Sequence, residues 1–241
     1  MLLRKDSLNY IIVVIMAVFM SSCKPILTTE LYMQDLDEAF VSKEKLVTPA
    51  RIAIPISSID KCDKDRSAIE EILIPYTLNL QFIQCKKISG QMYDLAEYQM
   101  DVQIINPEYH KEYSGLFAYS IYPRSEENPK YDTIQLLISP DIDVVLKRFK
   151  EKFMQTVKGI DVDIIVNNDS RKETKILVMG AFVNNYPVFK PEKITLSRRD
   201  KVEIKLSNVR MSRLMIDKKA GLFSIINDAE FGKTFPDFKG N

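Results

Sequence analysis

The sequence predicts an α+β domain in which a mainly antiparallel β-sheet, free to curve, packs on one long amphipathic helix. Three observations lead there. Runs with apolar residues at alternate positions recur along most of the chain, turn-rich segments separate them, and a single long stretch, 139–159, carries apolar residues at helical spacing instead.

The strand-like runs begin with Ile52, Ile54 and Ile56, followed by Leu78, Leu80 and Phe82. The clearest is Ala96, Tyr98, Met100, Val102 and Ile104, with Glu97, Gln99, Asp101 and Gln103 between them, the pattern of a strand with one wet face. Similar runs cover 116–122, 133–138, 160–166, 175–183, 193–197 and 202–206. Segments such as 125–130 and 167–173 are rich in turn formers, so the runs read as hairpins. The pattern leaves open whether the strands close into a barrel or form an open sheet.

The helix is opened by Ser139 as cap and Pro140 in the first turn, and closed by Gly159 after Lys158. Asp141 and Asp143 suit the positive end of its dipole. Ile142, Val145, Leu146, Phe149, Phe153 and Val157 share one stripe, which should pack on the sheet, while Lys147, Arg148, Lys150 and Lys152 lie mostly off it as a solvated face, with contact to anionic lipid as the alternative. A shorter helix is expected to start at Ser67, whose spacing to Glu70 makes a capping box, and another over 218–227.

Ahead of this body stands a segment with the parts of an export signal in order. Arg4 and Lys5 are followed by the wholly apolar run IIVVIMAVFM at 11–20, then Ser21, Ser22 and Cys23. The run is about half the roughly 20 residues a spanning helix needs. At Met20-Ser21-Ser22-Cys23 the sequence resembles the lipobox of bacterial lipoproteins, although Met20 stands where leucine is usual. The resemblance implies cleavage before Cys23 and a diacylglycerol on its sulfur. The expected division is a lipoprotein signal peptide at 1–22, a lipidated N-terminus and short tether at 23–30, and a single domain at 31–241. Lys24 is not the aspartate that holds such proteins in the inner membrane of enteric bacteria, so the resemblance implies an outer-membrane destination facing the periplasm. In outline the mature part is also similar to uncharacterised lipoproteins of enteric bacteria, their plasmids and phages.

With Cys23 committed to lipid, Cys62 and Cys85 remain as an even pair in an oxidising compartment and are expected to bond; two separate buried thiols are the alternative. Removing Arg4, Lys5 and Asp6 with the leader takes two basic and one acidic residue from totals of 34 and 33, so the mature chain is formally neutral. That argues against a nucleic-acid binder or a general polybasic membrane binder.

No G-x-S-x-G, H-E-x-x-H, P-loop or G-x-G-x-x-G occurs, and two cysteines with one distant histidine do not make a four-ligand zinc site. The chain reads as a non-enzyme without cofactor or metal. Asp161 and Asp163 share a strand face, but as outward residues they should be solvated rather than a catalytic pair. His110, the single histidine, sits between Tyr109 and Tyr113 in NPEYHKEYSG, either a recognition loop or an exposed imidazole without a role. Phe231, Phe235 and Phe238 crowd the C-terminal segment, either to anchor a partner or to fold back over an edge. The function expected is that of a membrane-anchored envelope lipoprotein, acting as a non-catalytic interaction or structural module with an envelope protein partner. The alternative is a carrier of lipids or amphiphiles with an apolar groove between sheet and helix.

Overall fold

The computed structural model describes residues 24–91, 93–122, 131–153 and 159–226. Of these, 48% are strand and 26% helix, and the strands form a nearly closed, barrel-like sheet with short helices around it. The chain runs through β1 (Ile26–Tyr32), α1 (Met33–Val41), β2 (Leu46–Ile56), α2 (Cys62–Leu73), β3 (Leu78–Lys86) and β4 (Asp94–Ile105). It continues through β5 (Phe117–Tyr122), β6 (Tyr131–Ile138), α3 (Ile142–Phe153), β7 (Asp161–Asn167), β8 (Thr174–Val178) and β9 (Ala181–Val183). The last described elements are β10 (Tyr186–Val188), β11 (Glu192–Leu196), β12 (Lys201–Leu206), α4 (Asn208–Asp217) and β13 (Lys219–Ile226).

Neighbouring strands follow the order β10-β9-β12-β7-β1-β2-β4-β5-β6-β13-β8-β11, with β3 as a branch alongside the first part of β4. Pairing is antiparallel except between β1 and β7 and between β4 and β5. The two ends of this order belong to one hairpin. Its lower half, β8 with β11, joins β13, while its upper half, β9 with β10, joins β12. A single two-stranded segment thereby spans both margins of the sheet, which is what brings it close to a barrel.

Alternation explains the interior. Leu27, Thr29 and Leu31 of β1, Ala50, Ile52 and Ile54 of β2, Tyr98, Met100 and Val102 of β4, and Val162, Ile164 and Val166 of β7 are all buried. All but Thr29 form one continuous hydrophobic cluster with Ile134 and Leu136 of β6 and Val202 and Ile204 of β12. Tyr119, fully buried on β5, faces Thr29, and burial pushes its phenol far above the ordinary range.

The expected sheet resting on one long helix is therefore incorrect. The sheet curls and covers its apolar face with itself, while the helices are brief and dispersed. α1 packs on β1, β4 and β5, α2 on β3 and α3, and α4 on β13 and β6. In α3 the expected stripe is real, with Ile142, Val145 and Phe149 buried, but its neighbour is α2. Lys152 reaches Glu71 across that contact and the Arg148 guanidinium lies over the Tyr76 ring. Val157 and Lys158 lie outside the described residues.

Three local expectations also change. From Ile26 onward the residues read as tether form β1, locked between β2 and β7. The helix expected at Ser67 begins earlier, at Cys62, and Glu70 pairs with Arg66 at 2.8 Å. The segment expected as a helix over 218–227 is β13.

Cys62 and Cys85 form a disulfide that ties the first turn of α2 to β3. The same contact stacks Arg66 over Phe82 at 4.3 Å, and Phe82 meets Tyr98 edge-on. Closing a loop of 23 residues should stabilise the fold by about 3 kcal/mol in the chain-entropy view. Urea denaturation of a Cys62→Ala, Cys85→Ala variant should show a loss of about that size, with the reduced native chain matching it. Equal midpoints for oxidised and reduced protein would contradict this.

Candidate functional site

The hairpin that spans the sheet margins also carries a concentration of exposed apolar side chains. Its tip is Asn184-Asn185, both with positive φ, as the two-residue turn matching strand twist requires. Asn184 pins the tip to β12: its N–H donates to the Glu203 carbonyl at 2.9 Å, and its Oδ1 accepts from the Glu203 N–H at 3.0 Å. Ala181 and Val188 face the interior, opposite each other. Phe182 and Pro187 form the outward pair, next to Lys205 on β12. Tyr186 is 76% exposed and Phe189 83%, with Met179 and Phe182 also in water. Single exposed apolar residues are ordinary, but four within one hairpin make a candidate recognition surface.

The hairpin holds its shape through a bend at Gly180, where φ is +65°. The Gly180 N–H donates to the Val188 carbonyl at 2.7 Å, so pairing continues through the bend. Beneath it lies Arg210 of α4, whose Nε would stand 3.3 Å from a Cβ at position 180. Arg210 donates from Nη1 to the Gly221 carbonyl at 2.6 Å, beside a bulge in β13 between Gly221 and Phe223. Burial presses its pKa down from the usual guanidinium value, yet the carbonyl dipole compensates part of that desolvation. One arginine thus braces the bend from α4 and β13 together.

Two hollows lie elsewhere on the body. One of about 410 Å³ between α2 and α3 is lined by Glu71, Ile72, Arg148, Glu151 and Lys152. Another of about 360 Å³ on the outer sheet face includes Glu30, Tyr32, Arg51 and Gln99, and there Glu30 accepts a bond from the Tyr32 hydroxyl that raises the phenol's pKa. Among the described residues no group of three or more His, Cys, Asp or Glu could hold a metal ion.

The residues singled out from the sequence do not converge. His110 Nε2 donates to the Lys43 carbonyl at 2.7 Å, fastening the β4–β5 loop to the α1–β2 loop, while the His110 backbone N–H donates to the Asn106 carbonyl within its own loop. Tyr109 is exposed, whereas Tyr113 is half-buried, its pKa pushed up to about 12 by burial and by nearby Asp141. Asp161 and Asp163 do face outward, but each is paired with a lysine, Asp161 with Lys24 and Asp163 with Lys205, both at 3.4 Å. Cys23, Phe231, Phe235 and Phe238 lie outside the described residues. The hairpin surface went unread because 175–183 looked like one unbroken strand. The Asn-Asn pair between apolar runs was the signal that could have exposed it.

If Arg210 braces the bend, two substitutions should weaken the fold. Gly180→Ala forces a Cβ into a left-handed backbone against Arg210 and should cost about 1–2 kcal/mol. Arg210→Met leaves the Gly221 carbonyl without its donor and should cost about 2 kcal/mol. Unchanged urea midpoints for both would refute the brace.

No curated protein and no solved structure matches the chain significantly. A family model does: it matches residues 26–231, from the first residue of β1 past the end of β13. The chain accordingly belongs to the family described as Domain of unknown function (DUF7424).

Proposed function

We propose that this protein is a lipid-anchored envelope lipoprotein whose body recognises another envelope protein through the β9–β10 hairpin. The observation that carries the recognition half is the exposed set Met179, Phe182, Tyr186 and Phe189 on a braced hairpin over a filled interior. Rigid aromatic side chains give large contact area for little lost entropy, which is why they dominate binding energy at interfaces. The strand edge of β10 adds unpaired backbone groups in the same place.

The anchoring half rests on the leader, with its basic start, apolar run and Met20-Ser21-Ser22-Cys23. Among the described residues no helix is long and apolar enough to cross a membrane. On this reading attachment comes from acyl chains on Cys23, with an outer-membrane, periplasm-facing position implied by Lys24. The carrier reading asks for an apolar groove between sheet and helix. The charged lining of the hollow beside α3 favours surface recognition over it.

Radiolabelled palmitate should appear on the native chain and not on Cys23→Ser, which should move to the soluble fraction. A membrane-bound, unlabelled Cys23→Ser would sink the anchor. For recognition, a photo-crosslinking residue at Tyr186 should capture a discrete envelope protein in cells. Changing Phe182 and Phe189 to serine should weaken that capture by about 2 kcal/mol per aromatic lost. Palmitate labelling should not change. Capture that survives both changes would refute the hairpin as the recognition surface.

A further inference from the structure

The first described residue, Lys24, directly follows Cys23, and its surroundings are fixed. Its Nζ lies 3.4 Å from Asp161 Oδ1 at the start of β7 and 3.5 Å from Asn208 Oδ1 at the start of α4. Pro25 is buried, and its carbonyl accepts from the Asp161 N–H at 2.8 Å. The chain is fixed against the sheet from Lys24 onward. Successive Cα atoms are about 3.8 Å apart, so acyl chains on Cys23 would enter the bilayer on the order of 10 Å from the N-terminus of α4.

α4 has two faces. Met211 and Leu214 are buried against the body, beneath β13 and β6. Val209, Ser212, Arg213 and Ile216 follow at i, i+3, i+4 and i+7 along the opposite side, with Val209 75% and Ile216 76% exposed. A hollow of about 240 Å³ runs from Lys24 along this helix past Ile160, Met211 and Met215. Apolar side chains in water, the Lys24 cation and a hollow lined in part by Ile160, Met211 and Met215 therefore meet where the chain emerges.

We infer that the outer face of α4 is the surface on which the body lies against phospholipid, with Val209 and Ile216 entering the headgroup boundary and Lys24 and Arg213 meeting phosphates. The inference rests on the anchored-lipoprotein reading above. Arg213 pairs with Asp217 at 3.6 Å, but both side chains are largely exposed and such a pair is weak, so the arginine is free to exchange it for a phosphate. A ten-residue helix with two apolar contacts binds lipid poorly by itself. Held by an anchor one residue from its own contact residue, it works at high effective concentration, and weak contacts suffice to set orientation.

The test uses the full acylated chain in which Ile216, Val209 or Val47 is replaced by cysteine. With Cys23 acylated and Cys62 bonded to Cys85, the new thiol is the one that reacts with an environment-sensitive nitrobenzoxadiazole dye. Each protein is returned to vesicles of phosphatidylethanolamine and phosphatidylglycerol containing nitroxide-labelled lipid. Val47 is the distant reference: β2 pairs Ala53 with Ile26, and Val47 lies six residues further along, about 20 Å away. Dyes at Ile216 and Val209 should shift to the blue and be quenched by the nitroxide, while the dye at Val47 should do neither. A blue shift at Ile216 without quenching means that protein covers the helix, and overturns the inference. So does quenching at Val47 with none at Ile216. Palmitate labelling of the same preparations separates the two readings: an acylated chain with a wet Ile216 overturns the orientation alone, whereas a chain without acyl groups overturns both.

Discussion

The hairpin formed by β8 to β11 is the constraint from which the rest of the architecture follows, because it is the segment that pairs with β13 at one margin of the sheet and with β12 at the other. An open sheet of this size would leave two edges of unpaired amides and an uncovered apolar face. Bridging the margins covers the apolar face and, of the two margins, leaves unpaired only the outer strand of the hairpin, β10 with β11, but it does so only if the hairpin bends sharply half-way. The bend requires a left-handed backbone at Gly180 and a support beneath it, and Arg210 supplies the support by reaching the carbonyl of Gly221. Closure, the β13 bulge and the seating of α4 are thus one coupled arrangement. The central β1–β7 pair joins the first described residues to a strand late in the chain, so most of the sheet must wait for distant segments to meet.

Sequence pattern reveals which face of an element is buried, not what buries it. β4 was legible because Glu97, Gln99 and Asp101 alternate with Tyr98 and Met100, which is the signature of one wet face. The α3 stripe was legible for the same reason, yet its periodicity could not say that the covering layer is α2 rather than a sheet. β1 was missed because Thr28 and Thr29 blur its alternation. β13 was misread as a helix for a definite reason: the bulge between Gly221 and Phe223 breaks the two-residue period, leaving Leu222, Phe223 and Ile226 at spacings that mimic a helical stripe.

The candidate site was less legible than the fold. The Cys62–Cys85 bond was legible once Cys23 was set aside for lipid and an oxidising compartment assumed, since what remains is a matter of counting rather than geometry. The aromatic loop around His110 was a reasonable suspect, but the imidazole is spent on the Lys43 carbonyl and Tyr113 is half-buried. Exposure of Phe189 and Tyr186 depends on the bend and the turn around them. Neither has a period, so no window of residues announces that these side chains are exposed.

The two apolar surfaces of the body are linked through a single helix. Arg210 on the inner side of α4 holds the bend of the hairpin, and Val209, the next residue back, belongs to the outer stripe. With Cys23 acylated and α4 lying on lipid, the bend would be held beside the bilayer and the tip carried away from it along β12. A partner gripping the exposed hairpin would then approach from the aqueous side close to the membrane plane. Confinement to that plane raises the local concentration of both proteins, so a small aromatic hairpin can be sufficient where a free body would need a larger interface.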